Sequence, residues 1–129
     1  MARIHPLVRI EVVTLVAIGG FVGANSRYAV SLLVPGLTGT FIVNVTGSFV
    51  LGFIIYEALY TGFLSEKGRI VLTTGFLSSF TTYSMFAFET LDVSPLVGLA
   101  NVGASYTFGF AGVLAGRWLA SRIQGGQDD

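Results

Sequence analysis

The chain has 129 residues, 53% hydrophobic and 11% charged, with a formal net charge of zero and no cysteine. Soluble domains carry roughly a quarter charged residues, so this composition points to a membrane protein. It excludes a disulfide framework, a thiolate metal site and the basic footprint of a nucleic-acid binder.

The charges leave neutral stretches at 12–26, 28–56, 70–88 and 93–116. A hydrocarbon core takes about 20 residues of helix. The last three stretches each supply a span, and the first does so if its helix runs on past Arg27 to Leu33. A soluble helical protein would need polar helix faces, which are missing. Arg3 before an apolar run is signal-like, but no cleavage pattern with a polar mature region follows, so this run reads as the start of the first membrane helix. His5, beside Pro6, reads as interfacial.

Helix one is expected at about 9–33, closed by Pro35-Gly36. Its Arg27 either snorkels to the headgroups or lures anions to a pore mouth. Helix two is expected at about 39–60. Asn44 lies one turn inside it, as a hydrogen bond to a neighbouring helix or as a donor to a permeating ion. Helix three is expected at about 68–90. It is interrupted by Gly75-Phe76-Leu77-Ser78-Ser79-Phe80-Thr81-Thr82-Tyr83-Ser84, where hydroxyls and a glycine crowd between rings. Non-helical backbone at membrane depth is tolerated only where protein buries it or it lines a cavity. Freed carbonyls there suit a small cation, structural or transported. Just beyond, Tyr83 and Phe86 share a face, and their ring edges favour an anion without a full charge. Helix four is expected at about 95–121, opened by Pro95. Asn101, Ser105 and Gly109 recur at spacing four on one face, either a polar track or a partner for the broken helix. Residues 124–129 read as a frayed tail.

Glycines run through helices one, two and four, which lets backbones approach closely in a bilayer and suggests an oligomer. The domain is single, 1–129. Four spans put both termini on one side, with Arg3, Arg9, Lys67, Arg69, Arg117 and Arg122 there and Arg27 alone opposite. That bias predicts cytoplasmic termini.

Three segments then resemble the CrcB/Fluc family of small four-helix fluoride channels. They are Gly19-Gly20-Phe21-Val22-Gly23-Ala24-Asn25-Ser26-Arg27-Tyr28, Gly39-Thr40-Phe41-Ile42-Val43-Asn44-Val45-Thr46-Gly47-Ser48-Phe49, and Gly75 through Phe86, followed by Glu89. The resemblance implies an all-α integral membrane protein whose third of four transmembrane helices breaks at mid-membrane. It implies an antiparallel, dual-topology dimer in the cytoplasmic membrane that exports toxic fluoride passively through two pores. It places Asn44, Tyr83 and Phe86 in the pore, Asn101 and Ser105 on the polar track and Arg27 at the vestibule. It assigns a structural Na⁺ to the backbone carbonyls of Ser78 and Thr81. Tyr83 stands where the family usually has phenylalanine, and Ser78 and Ser79 where small glycines are common. The partner is a second copy or, given the six-to-one bias, an oppositely oriented paralogue.

Two other classes compete. A small proton-coupled drug exporter predicts a carboxylate deep in helix one, where Glu11 stands only at the start. A non-conducting scaffold predicts scattered rather than clustered polar residues. No enzyme chemistry is evident.

Overall fold

Long apolar stretches with few breakers make helices, and the breakers set their ends. A computed structural model describes residues 6–126. Arg3, His5 and residues 127–129 lie outside the described residues.

Helix α1 spans Pro6–Leu33 and starts ahead of the expected Arg9. Thr14, Asn25 and Ser26 bond back to the carbonyls of Ile10, Phe21 and Val22 on their own helix. That local bonding lets these polar side chains sit on an apolar helix without outside partners. Gly36 turns the chain with φ 74°, a conformation that a side chain would strain. Helix α2 follows over Leu37–Tyr60.

After α2 the chain is tied down by Glu57, which is 2% exposed. Its Oε1 accepts from the backbone N–H groups of Phe63 and Leu64 and from Thr61 Oγ1. The short helix α3, Glu66–Ile70, is capped by Ser65, whose hydroxyl accepts from Gly68 N–H at 3.1 Å. Lys67 reaches Glu11 of α1 at 2.8 Å.

The sequence predicts an interruption over Gly75–Ser84, and the structure narrows it. Helical winding continues through a π-helical segment, Val71–Leu77, into the single turn α4, Ser78–Phe80. Only Thr81 and Thr82 are extended, with φ/ψ of −80°/161° and −150°/125°. Helix α5 then runs from Tyr83 to Leu91, with Thr82 Oγ1 accepting from Met85 N–H at 3.2 Å as its cap. Helix α6 spans Pro95–Gly125, so the residues expected to fray at 124–125 are helical.

The helices pack as two parallel pairs. In the first, α1 lies along the π-helical segment: Glu11 meets Lys67, Gly19 meets Val71 and Gly23 meets Phe76. A Cβ on Gly23 would overlap the Phe76 carbonyl. In the second, α6 lies along α2: Gly109 meets Ser48, Gly52 meets Val113 and Gly116 meets Phe53. Small residues allow this approach where no hydrophobic effect drives helices together. The two pairs meet at the extended residues.

Three helices are long and apolar enough to cross a membrane: Leu7–Leu33, Leu37–Tyr60 and Pro95–Gly125. Among described apolar residues, only Val43, Ile54, Leu77 and Ala120 are buried, while many large ones are exposed. An apolar solvent reconciles that surface with stability.

Candidate functional site

The site is built around the two extended residues. Extended backbone cannot continue a helical ladder, so Thr82 must find partners elsewhere. Asn44 of α2 supplies both. Its Oδ1 accepts from Thr82 N–H at 2.8 Å, and its Nδ2 donates to the Thr82 carbonyl at 2.9 Å. Of the two sequence readings of Asn44, the bond to a neighbouring helix is therefore present. One of the two Nδ2 hydrogens remains for another acceptor.

This pairing changes the carbonyls upstream. In a continuous helix, the Ser78 carbonyl would accept from Thr82 N–H and the Thr81 carbonyl from Met85 N–H. Those donors are diverted to Asn44 Oδ1 and Thr82 Oγ1. Ser78 and Thr81 both line an open hollow of about 430 Å³ beside Asn44, Gly47 and Thr73. Two neutral oxygens without helical donors fit a hard monovalent cation. Among the described residues no cluster of His, Cys, Asp or Glu could hold a metal instead.

On the other side of Asn44 is a cleft of about 290 Å³. It brings together Asn44, Tyr83, Phe86 and Ser105, with Ser48 and Tyr106. The Tyr83 and Phe86 centroids are 5.9 Å apart at 44°, and Tyr106 stands edge-on to Phe86 at 6.4 Å and 79°. Among the described residues, no Lys or Arg lines this cleft. Its polar groups are neutral hydroxyls and an amide, and its walls are ring faces and edges.

Asn101, expected on the polar track or as a partner for the broken helix, is not among the residues lining this cleft. Its Nδ2 donates to Thr90 Oγ1 at 2.8 Å, and its Oδ1 accepts from Ser105 Oγ at 3.5 Å. Spacing of four put both residues on one face, but α5 reaches far enough to cover Asn101. Arg27 lies apart, in a cleft of about 230 Å³ with Thr40, Thr82, Met85 and Glu89. Glu89 Oε2 is buried there without a hydrogen-bond partner among the described residues.

Comparison with known proteins fits this geometry. The family model described as CrcB-like protein, Camphor Resistance (CrcB), matches residues 14–117. The chain belongs to the CrcB family. A relative in Haloarcula marismortui, named fluoride-specific ion channel FluC 1, is 52% identical over 126 residues, covering 98% of each chain. One of the same name in Natronomonas pharaonis is 47% identical over 107 residues, covering 81% of this chain and 90% of that one. Another in Methanospirillum hungatei is 41% identical, covering 84% and 77%. With three apolar spans, this CrcB protein is a multi-pass protein of the cell membrane.

Two hydroxyl-bearing lining residues were not singled out from sequence. Ser48 donates to the Asn44 carbonyl at 2.9 Å and borders both the cleft and the hollow. Its signal is its place one turn after Asn44. Tyr106 adjoins Ser105, but only its packing on Phe86 puts its ring in the wall.

Proposed function

We propose that this CrcB protein is a fluoride-selective channel that lets fluoride leave the cell passively, and that the anion passes through the cleft of Asn44, Tyr83, Phe86 and Ser105. The observation that carries the reading is the convergence of these four residues in one uncharged cleft beside the helix break. Fluoride is small and strongly hydrated. Ring edges, hydroxyls and the spare Nδ2 hydrogen offer weak contacts in series, which allow an ion to shed water and still leave. A fixed ammonium would hold it longer. The names of the relatives support the same ion. The function is that of a channel and not of an enzyme.

The parallel course of α2 and α6 supports four crossings. The end of α2 and the start of α6 lie at opposite ends of the pair, so residues 61–94 must carry the chain back across the bilayer. Both termini then share a side. The diverted carbonyls of Ser78 and Thr81 support a structural Na⁺. Two oxygens are half a shell, and a copy related by a two-fold axis in the membrane plane would double them. That copy inserts in the opposite orientation and brings a second pore. It is either the same chain or an oppositely oriented paralogue. The six-to-one Lys/Arg asymmetry favours the paralogue, because a single sequence with that bias resists inserting both ways.

The test is growth. Cells lacking their own fluoride exporter, given this chain, should grow at fluoride concentrations that stop the parent. Rescue only on co-expression with a paralogue would identify the pair. No rescue in either case would defeat the proposal.

A further inference from the structure

At the far end of the α2–α6 pair, Arg117, Tyr56 and Tyr60 form an arrangement that the ion path does not use. The Arg117 guanidinium lies over the Tyr56 ring, 5.2 Å from its centroid, and stands beside the Tyr60 hydroxyl. The two tyrosine rings are 5.9 Å apart, tilted by 34°. Arg117 is exposed, and the ion pair between described residues, Lys67 with Glu11, does not involve it. Glu57, next to Tyr56, is not its counter-ion either, because that carboxylate is buried and its Oε1 is held by the loop N–H groups.

A guanidinium is planar and carries its N–H donors in a rigid fork, so over a ring it can still present donors beyond the ring edge. That planar fork matches two oxygens of a phosphate. The Tyr60 hydroxyl offers one more donor. Aromatic rings at a helix end sit at headgroup depth, and Leu114 and Trp118, 60% and 58% exposed, continue the surface as an acyl chain would need. This end also carries the chain's excess of Lys and Arg, complementary to an anionic leaflet.

We propose that Arg117, Tyr56 and Tyr60 bind the headgroup phosphate of an anionic membrane lipid. A zwitterionic lipid offers the same phosphate with its own cation attached, and so meets Arg117 less favourably. The bound lipid neutralises Arg117 and holds this end of the protein in the anionic leaflet.

Native mass spectrometry of the purified full chain tests the site, with phosphatidylglycerol and phosphatidylcholine of equal acyl chains in the micelle. The wild type should retain phosphatidylglycerol in preference, and R117Q should lower that preference about fivefold, the factor set by one basic residue at an anionic surface. R122Q removes equal charge from the same helix end, where Arg122 lies over Trp118 and not over Tyr56, and should keep the preference. R117K, which keeps the charge but loses the planar fork, should retain less than wild type. Inorganic phosphate should not displace the lipid. Equal retention of the two lipids by wild type, an unchanged R117Q, an equal loss in R122Q, or displacement by inorganic phosphate would each overturn the proposal.

Discussion

The side-chain amide of Asn44 closes both backbone groups of Thr82, accepting from its N–H at 2.8 Å and donating to its carbonyl at 2.9 Å. A side chain on α2 thus completes the extended backbone between α4 and α5. The first bond takes the donor that a continuous helix would give the Ser78 carbonyl, and the second leaves one amide hydrogen for another acceptor. Asn44 lines both the hollow of Ser78 and Thr81 and the cleft of Phe86 and Ser105.

Asn44→Ala should therefore do two kinds of damage. It leaves two buried backbone groups of Thr82 without partners, at a cost of about 1–3 kcal/mol each before relaxation. It also removes the cleft's amide donor. Thermal unfolding in detergent should fall by several degrees, and fluoride efflux should drop at least tenfold. Asn44→Asp keeps the acceptor for Thr82 N–H but loses the donor to its carbonyl and puts negative charge in the anion path. It should lose efflux as fully while keeping more stability.

The rings of Tyr83 and Phe86 should separate by substitution. Tyr83→Phe keeps the ring edge and removes only the hydroxyl of a side chain that is 74% exposed. Efflux should stay within about threefold of wild type, on the scale of one hydrogen bond worth about 0.6 kcal/mol in a membrane protein. Phe86→Ile removes the ring that bridges Tyr83 and Tyr106. Efflux should fall severalfold or more while the chain still extracts and melts like wild type.

The glycines of the parallel pairs make a sharper structural prediction. Gly23→Val forces side-chain atoms into the Phe76 carbonyl, which is backbone and cannot swing away. Overpacking of this kind costs about 1–3 kcal/mol, and here it displaces the π-helical segment from α1. Reduced yield and a lowered melting temperature should follow. Gly125→Ala, with open space around it, should melt like wild type.

With the proposed Na⁺ in the hollow of Ser78 and Thr81, replacing Na⁺ with N-methylglucamine during purification should lower the melting temperature and the recovery of the proposed dimer. Thr81→Ala should keep this Na⁺ dependence, since the carbonyl remains. Restored Na⁺ on one side of the membrane should not drive fluoride flux. A flux that follows the Na⁺ gradient would make the cation a transported one.

Sequence located the break through its density of hydroxyls, within a ten-residue window, but not its true extent. Ser78, Ser79 and Phe80 look as polar or as bulky there as Thr81, yet they stay helical, with Gly20 of α1 set against Ser79. Asn44 stood out because an amide in an apolar helix needs partners. Its partner, 38 positions away, depends on how two helix pairs dock, which no local pattern encodes. Spacing of four joined Ser105 to Asn101, but whether either residue borders the cleft depends on where α5 stops. Glu57 stands near the end of α2, where nothing local in the sequence announces its burial. Its burial comes from the loop that folds back over it, with Gly62 at φ 62° making that turn.

Fluoride efflux from liposomes containing this chain, together with the paralogue where growth rescue requires one, is the deciding measurement when set against chloride efflux and against Phe86→Ile. Fluoride efflux should be fast, chloride efflux should stay near the protein-free background, and the Phe86→Ile protein should lose fluoride efflux. Equal rates for the two anions, or fluoride efflux unchanged by Phe86→Ile, would contradict the fluoride-channel proposal.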